Sequence, residues 1–171
     1  LGSDGMSEHE PLVPGQLIGA RYRLDEQIGA GGMGQVWRAH DTVLDRAVAV
    51  KAVDLDASAD LRAADRFNRE ARITAGLNPP NLVTVHDSLI EGGHALLVME
   101  LLPGPSLAEE MARGPLAVDE VQQVAEQVLS ALGAAHARGL VHRDIKPANV
   151  VRGGDDRWKV ADFGITRGAE L

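Results

Sequence analysis

The chain contains no cysteine. That excludes disulfides, thiolate metal sites and a cysteine nucleophile, and it fits a reducing, cytoplasmic setting. Aromatic residues make up only 3%, poor material for stacking single-stranded bases. Positive charge is the minority sign: 17 Lys and Arg stand against 25 Asp and Glu, a net charge of −8. Duplex binding needs a basic surface to displace counterions, so nucleic acid is not an expected partner. No apolar run approaches the roughly 18 residues that a membrane helix needs, and no secretory leader pattern opens the chain. The six histidines show no ligand spacing, and HExxH is absent.

What is present suits a soluble globular protein. The 171 residues are 44% hydrophobic and 25% charged, enough for one sizeable domain or two small lobes. Leu1 to Gly5 read as a tag remnant before Met6, and Ser7 to Gly19 are polar and rich in Pro and Gly. Residues 1–19 are therefore expected to form a mobile lead-in. Tyr22, Leu24 and Ile28 sit at strand period. Val36 to Ala39 and Ala47 to Val53 read as two more strands. Ser58 to Leu77 has helical character, closed by Gly76 and Pro79-Pro80. Leu82 to Ile90 and Ala95 to Met99 read as strands around the turn Glu91-Gly92-Gly93.

Composition shifts at Pro103-Gly104-Pro105, a candidate hinge. Ser106 and Glu109 form a capping-box pattern opening a short helix. Val121, Val124, Val128, Leu132 and Ala135 recur at helical spacing and predict a long amphipathic helix from about Val118 to Arg138. Val150-Val151 and Trp158 to Val160 flank the turn Gly153-Gly154-Asp155-Asp156, a small hairpin.

Four motifs carry chemistry. Gly29-Ala30-Gly31-Gly32-Met33-Gly34-Gln35-Val36 fits GxGxxGxV. Such glycines let backbone approach phosphates closely. A plain Gly-rich hairpin turn explains this stretch equally well on its own. A dinucleotide-binding fold would need a helix opening at the third glycine, where strand-like Val36-Trp37 stands instead. Lys51 lies in Val48-Ala49-Val50-Lys51. A lysine packed in an apolar strand needs an anionic partner, and Glu70 in the following helix is the candidate. Glu70 also reads as one more charge on a helix carrying Arg62, Arg66, Arg69 and Arg72.

His142-Arg143-Asp144 with Asn149 is more specific, and Asp162-Phe163-Gly164 follows. An Asx-bonded turn could account for Asp144 and Asn149, but not for Lys146 between them or for Asp162 beyond. One acid to accept a hydroxyl proton, an acid and an amide to hold a divalent metal, and a lysine facing the moving phosphate together suit phosphoryl transfer.

GxGxxGxV, VAxK, HRDxxxxN and DFG appear in the order of a protein kinase. The chain resembles the eukaryotic-like (Hanks-type) serine/threonine protein kinases of bacteria, and its Gly-Gly-Met loop and Arg21-Tyr22-Arg23-Leu24 resemble actinobacterial members. The resemblance spans residues of about 20 to 168. It implies an α+β, bilobal fold, with a β-rich N-lobe carrying one major helix over 20–102 and the start of a helical C-lobe over 103–171. It implies ATP with Mg²⁺, or Mn²⁺ in its place, and protein substrates.

The family's roles then fall on particular residues. Lys51 would contact the phosphates and pair with Glu70. Asp144 would accept the substrate proton, and Lys146 would neutralise the γ-phosphate. Asn149 and Asp162 would bind the metal. Gly29, Ala30, Gly31, Gly32, Met33 and Gly34 would cover the phosphates. Met99 would be the gatekeeper, with Glu100 and Leu102 offering backbone bonds to adenine. Ile28, Val36, Ala49 and Val151 would sandwich the base. Arg143 would meet a phosphorylated loop residue. Arg21 and Leu44 occupy positions suited to an N-lobe homodimer, and a membrane anchor outside this segment is common among such proteins.

Two departures stand out. Asn78-Pro79-Pro80-Asn81 replaces the usual His-Pro-Asn, which bears on how the Glu70 helix is anchored. The chain also stops at Leu171, seven residues after Gly164, before the activation segment and later C-lobe helices expected in this family. A fragment of a longer protein is therefore expected, with the apolar face of the 118–138 helix under-covered. The competing readings are an ATP-binding pseudokinase or docking scaffold, an inactive kinase fragment, and a small-molecule phosphotransferase of the same fold.

Overall fold

The computed structural model describes residues 10–31, 34–55, 60–76, 79–141 and 145–161; for residues 31, 60–64, 66 and 70 the backbone alone is described. A six-stranded antiparallel sheet is built from β1 (Leu17–Ile18), β2 (Tyr22–Gly31), β3 (Gly34–Asp41), β4 (Arg46–Asp54), β5 (Val85–Glu91) and β6 (His94–Glu100), in the order β1-β2-β3-β4-β6-β5. Helix α1 (Asp60–Ala75) connects β4 to β5. Then come α2 (Leu107–Arg113), α3 (Val118–His136), a 3-10 turn at Pro147–Asn149, and the hairpin β7 (Val150–Arg152) and β8 (Trp158–Val160).

Strand alternation divides the sheet's two faces. Val48, Val50 and Ala52 of β4, with Leu96 and Val98 of β6, enter one core with Leu24, Trp37 and Ala39. Their neighbours Ala49, Ala95, Leu97 and Met99 face the other way, against Phe67 and Ala71 of α1. Phe67, Ala71 and Thr74 recur at helical period and are all buried. The side of the sheet that meets α1 is thus also the side that carries Lys51.

Residues 10–19 are not the loose lead-in that their composition suggests. Leu12 and Ile18 are buried in the first core. Gly15 N–H donates to the Leu24 carbonyl at 2.7 Å, and Leu24 N–H to the Gln16 carbonyl at 2.8 Å. The His94 ring donates through Nε2 to the Glu10 carbonyl at 2.9 Å. Two apolar side chains suffice to seat a polar segment when its backbone groups find partners.

Strand β2 also departs from simple alternation. Its pairing with β3 shifts register between Leu24 and Glu26 and again between Gln27 and Gly29. Tyr22 and Leu24 are buried, while Ile28, at the second irregularity, is 47% exposed.

The turn from β3 to β4 is pinned by Asp41. Its carboxylate accepts two bonds from the Arg21 guanidinium, at 2.8 and 2.7 Å, and the amides of Val43 and Leu44. The Arg21 bond, then those amides, hold the carboxyl well below the usual range against the opposing effect of burial. Tyr22 donates its hydroxyl to Asp87 at 2.8 Å. Burial, then that bond, pushes its pKa up to about 12.

The capping box forms as expected: Ser106 Oγ accepts from Glu109 N–H at 3.2 Å, and Glu109 accepts from Ser106 N–H at 2.9 Å. Helix α3 buries Val124, Ala131 and Ala135. Leu82 and Val83, expected as the start of a strand, instead pair with the far hairpin. Val83 N–H donates to the Val160 carbonyl, and Val160 N–H to the Asn81 carbonyl at 2.8 Å. Strand β5 can therefore begin only at Val85.

Candidate active site

Strands β2, β3 and β4 place the residues of the first two motifs beside each other. Gly29 pairs with Val36, and Val36 pairs with Lys51. The connection between β2 and β3 closes at Gly31 opposite Gly34; Gly32 and Met33 lie outside the described residues. Gly34 has φ +112°, and a Cβ there would collide with the Ala52 carbonyl oxygen. No other residue type fits that approach to β4.

Lys51 is 7% exposed, on the α1 side of the sheet. Glu70 sits in α1 between Phe67 and Ala71, both of which face the sheet; its side chain lies outside the described residues. Ala49 pairs with Met99 across β4 and β6, and both share a cluster with the partly buried Leu102 and Ala161. Ile28 and Val36 border the glycine turn. Val151 pairs with Lys159 and bridges to Ser106 in the connection below the sheet.

Among the later motifs, Asn149 is buried in the 3-10 turn. Its N–H donates to the Lys146 carbonyl at 2.9 Å, and its own carbonyl accepts from Ala161 N–H at 2.8 Å. That bond joins Asn149 to the residue just before Asp162. Lys146 is exposed. His142, Arg143, Asp144, Asp162, Phe163 and Gly164 lie outside the described residues, so the sequence alone speaks for them.

Spacing did not reveal the groups that join the sheet to the second half. The Asn81 amide donates to Gln127 of α3 at 3.1 Å and to the Trp158 carbonyl at 2.9 Å. Gln127 also accepts from Trp158 N–H at 2.7 Å. Asn81 was visible as part of the unusual Asn-Pro-Pro-Asn stretch, whereas nothing marked Gln127. The Glu100 carboxylate accepts from Lys159 Nζ at 2.9 and 3.0 Å and from Thr84 N–H at 2.9 Å.

Beside this constellation runs an apolar groove of about 530 Å³. Leu107, Met111, Val121, Val124, Ile145 and Pro147 line it, and Lys146 borders it. Apart from Lys146, none of them carries a role expected from the motifs.

A family model described as "Protein kinase domain" matches residues 22–170. The chain belongs to the protein kinase domain family. Its kinase domain is 44% identical over 162 residues to the serine/threonine-protein kinase PknA of Mycobacterium tuberculosis, covering 91% of this chain and 38% of that protein. PknL of the same species is 43% identical over 152 residues, covering 88% and 38%. PrkC of Bacillus subtilis is 41% identical over 155 residues, covering 90% and 24%. The crystal structure of the M. tuberculosis PknI kinase domain, C20A mutant, superimposes with a TM-score of 0.81 at 34% identity, covering 92% of this chain and 64% of that one.

The chain thus spans little more than a third of the two mycobacterial relatives' length. The match establishes the expected bilobal kinase fold in its N-lobe and the start of its C-lobe. Kinase domains in general use ATP and a divalent metal ion. Among the described residues, no helix is long and apolar enough to cross a membrane.

Proposed function

We propose that this chain supplies the nucleotide-binding and phosphotransfer elements of an ATP-dependent protein serine/threonine kinase, working in the cytoplasm on the hydroxyls of protein substrates. The observation that carries this reading is the burial of Lys51, which pairs with Val36 of β3 on one side and Leu97 of β6 on the other, while Val36 in turn pairs with Gly29 of the glycine motif. A sheltered ammonium demands an anion, and a phosphate chain under the turn and a glutamate on α1 both answer that demand. Lys51 would hold the α- and β-phosphates and pair with Glu70.

Ile28, Val36, Ala49 and Val151 would enclose the base. The Glu100 amide already donates to Thr84, so its carbonyl is the group it would offer to adenine, alongside the Leu102 amide. Asn149 and Asp162 form an all-oxygen donor set of the kind Mg²⁺ or Mn²⁺ prefers. Once bound there, the ion supplies charge neutralisation at the phosphates. Asp144 would take the proton of the attacking hydroxyl and Lys146 would face the transferred phosphate, so that catalysis rests on positioning and electrostatics.

The exposed Val43 and Leu44 of the β3–β4 turn support an N-lobe homodimer. The Arg21 fork is spent on Asp41, which leaves the apolar pair to form that contact. A membrane anchor would belong to polypeptide outside this segment.

The test uses full-length protein, labelled ATP and a generic Ser/Thr substrate. Lys51→Met and Asp144→Asn should each lower transfer by about 10²- to 10³-fold. Undiminished labelling in either variant sinks the role assignment. Nucleotide binding by the wild type without any transfer favours the scaffold reading.

A further inference from the structure

We propose that Glu100 and Lys159 form an ionic tie across the back of the cleft that slows lobe opening and, with it, nucleotide release. The inference rests on the kinase reading above. Glu100 is the last residue of β6, where the chain leaves the sheet for the second half of the molecule. Lys159 is the middle residue of β8, in the hairpin below. Its Nζ lies 2.9 and 3.0 Å from the two carboxylate oxygens. The side chains are 14% and 24% exposed, sheltered enough that salt screens the pair less than it would a surface pair.

The carboxylate is held from a second side. Oε1 also accepts from Thr84 N–H, and the Thr84 carbonyl accepts from Glu100 N–H, both at 2.9 Å. Thr84 itself follows directly on the residues whose backbone pairs with β8. A rotation of the sheet against β8 therefore has to stretch the ion pair while the Thr84 bonds keep the carboxylate in place. Leu101 to Pro103 connect the two parts before Gly104 and Pro105 bond to Arg152, and the other described links at this junction are uncharged: hydrogen bonds among Asn81, Val83, Gln127, Trp158 and Val160, and the packing of Ile73 and Leu82 on α3 and Val160. The charge pair is the element whose loss lowers the barrier to opening.

The variants separate charge from shape. Glu100→Gln keeps an acceptor for Thr84 and removes the charge; Lys159→Met keeps length and removes it; Lys159→Arg restores it. Full-length protein is loaded with a fluorescent N-methylanthraniloyl ATP and Mg²⁺, then chased with excess ATP in a stopped-flow instrument. Glu100→Gln and Lys159→Met should each speed release about two- to tenfold, the double variant no more than either alone, with Lys159→Arg close to wild type.

Thermal midpoints are read alongside. A lowered midpoint with an unchanged release rate would show a structural role only and overturn the tie, as would slower release in the single variants. A wild type that binds no nucleotide sinks the kinase reading and the tie together. A wild type that binds, with every variant releasing at its rate, sinks the tie alone.

Discussion

The β1–β6 sheet closes over its own core, with Leu24, Val48, Val50, Leu96 and Val98 all at 0% exposure, whereas α3 leaves Val121 51% and Leu129 66% exposed. The difference lies in what each sequence pattern can satisfy by itself. Alternating strands bury one face against their neighbours and the other against α1, so the sheet draws most of its burial from within residues 12–102. An amphipathic helix has one stripe to bury and needs a partner along its whole length. Helix α3 finds that partner at Val124, Ala131 and Ala135 against Leu82, Val160 and Trp158, and elsewhere its stripe lines the open groove. The stability of the sheet is thus largely its own, and that of the helical part depends more on what else contacts it.

Two tryptophans allow the contrast to be broken or sharpened, since Trp37 lies in the sheet core and Trp158 in the β8–α3 cluster. Trp37→Phe and Trp158→Phe variants each leave one fluorescent reporter. The largest effect is expected for Leu96→Ala, about 2–5 kcal/mol read by Trp37 in denaturant, while Leu129→Gln should stay within about 0.5 kcal/mol. Equal losses would erase the distinction between the regions.

Next is Asp41→Asn. Because the folded-state pKa of Asp41 is depressed, its contribution is present above the unfolded value of about 4 and is lost as pH falls below it. The thermal-midpoint gap between wild type and variant should therefore be constant near neutrality and shrink below about pH 4. A gap that widens in acid contradicts the assignment.

Smaller still is Ser106→Ala, about 1 kcal/mol, expected in the Trp158 signal with the Trp37 transition unmoved. Last, Tyr22 is the single tyrosine, so alkaline absorbance titration reads it alone. Its raised pKa gives stability below about pH 10 that is lost as pH climbs through the folded value. The midpoint should fall at about 12, and an ordinary midpoint would place the ring in water.

Local chemistry was the legible part of the sequence. The Ser106–Glu109 box, the β7–β8 turn, the helix over 118–136 and the strand around Lys51 all follow from spacing and turn residues within a few positions. What escaped notice depends on partners far along the chain. Leu12, beside Val13, looks like part of a short apolar pair in a polar lead-in until the sheet offers it a core. The two irregularities in β2 cannot be read from alternation, because Ile28 has the same parity as Tyr22 and Leu24. The expected strand start at Leu82 failed because residues 81–83 pair with β8, 77 or more positions away. At the site, residue types and order were readable, while the Asn81–Gln127 and Glu100–Lys159 contacts were not, since neither pair has a sequence pattern.

The backbone bond from Ala161 to Asn149 gives the chain a fulcrum. Asn149 in the 3-10 turn and Ala161 just past β8 are held together there, so neither stretch of backbone shifts without carrying the other.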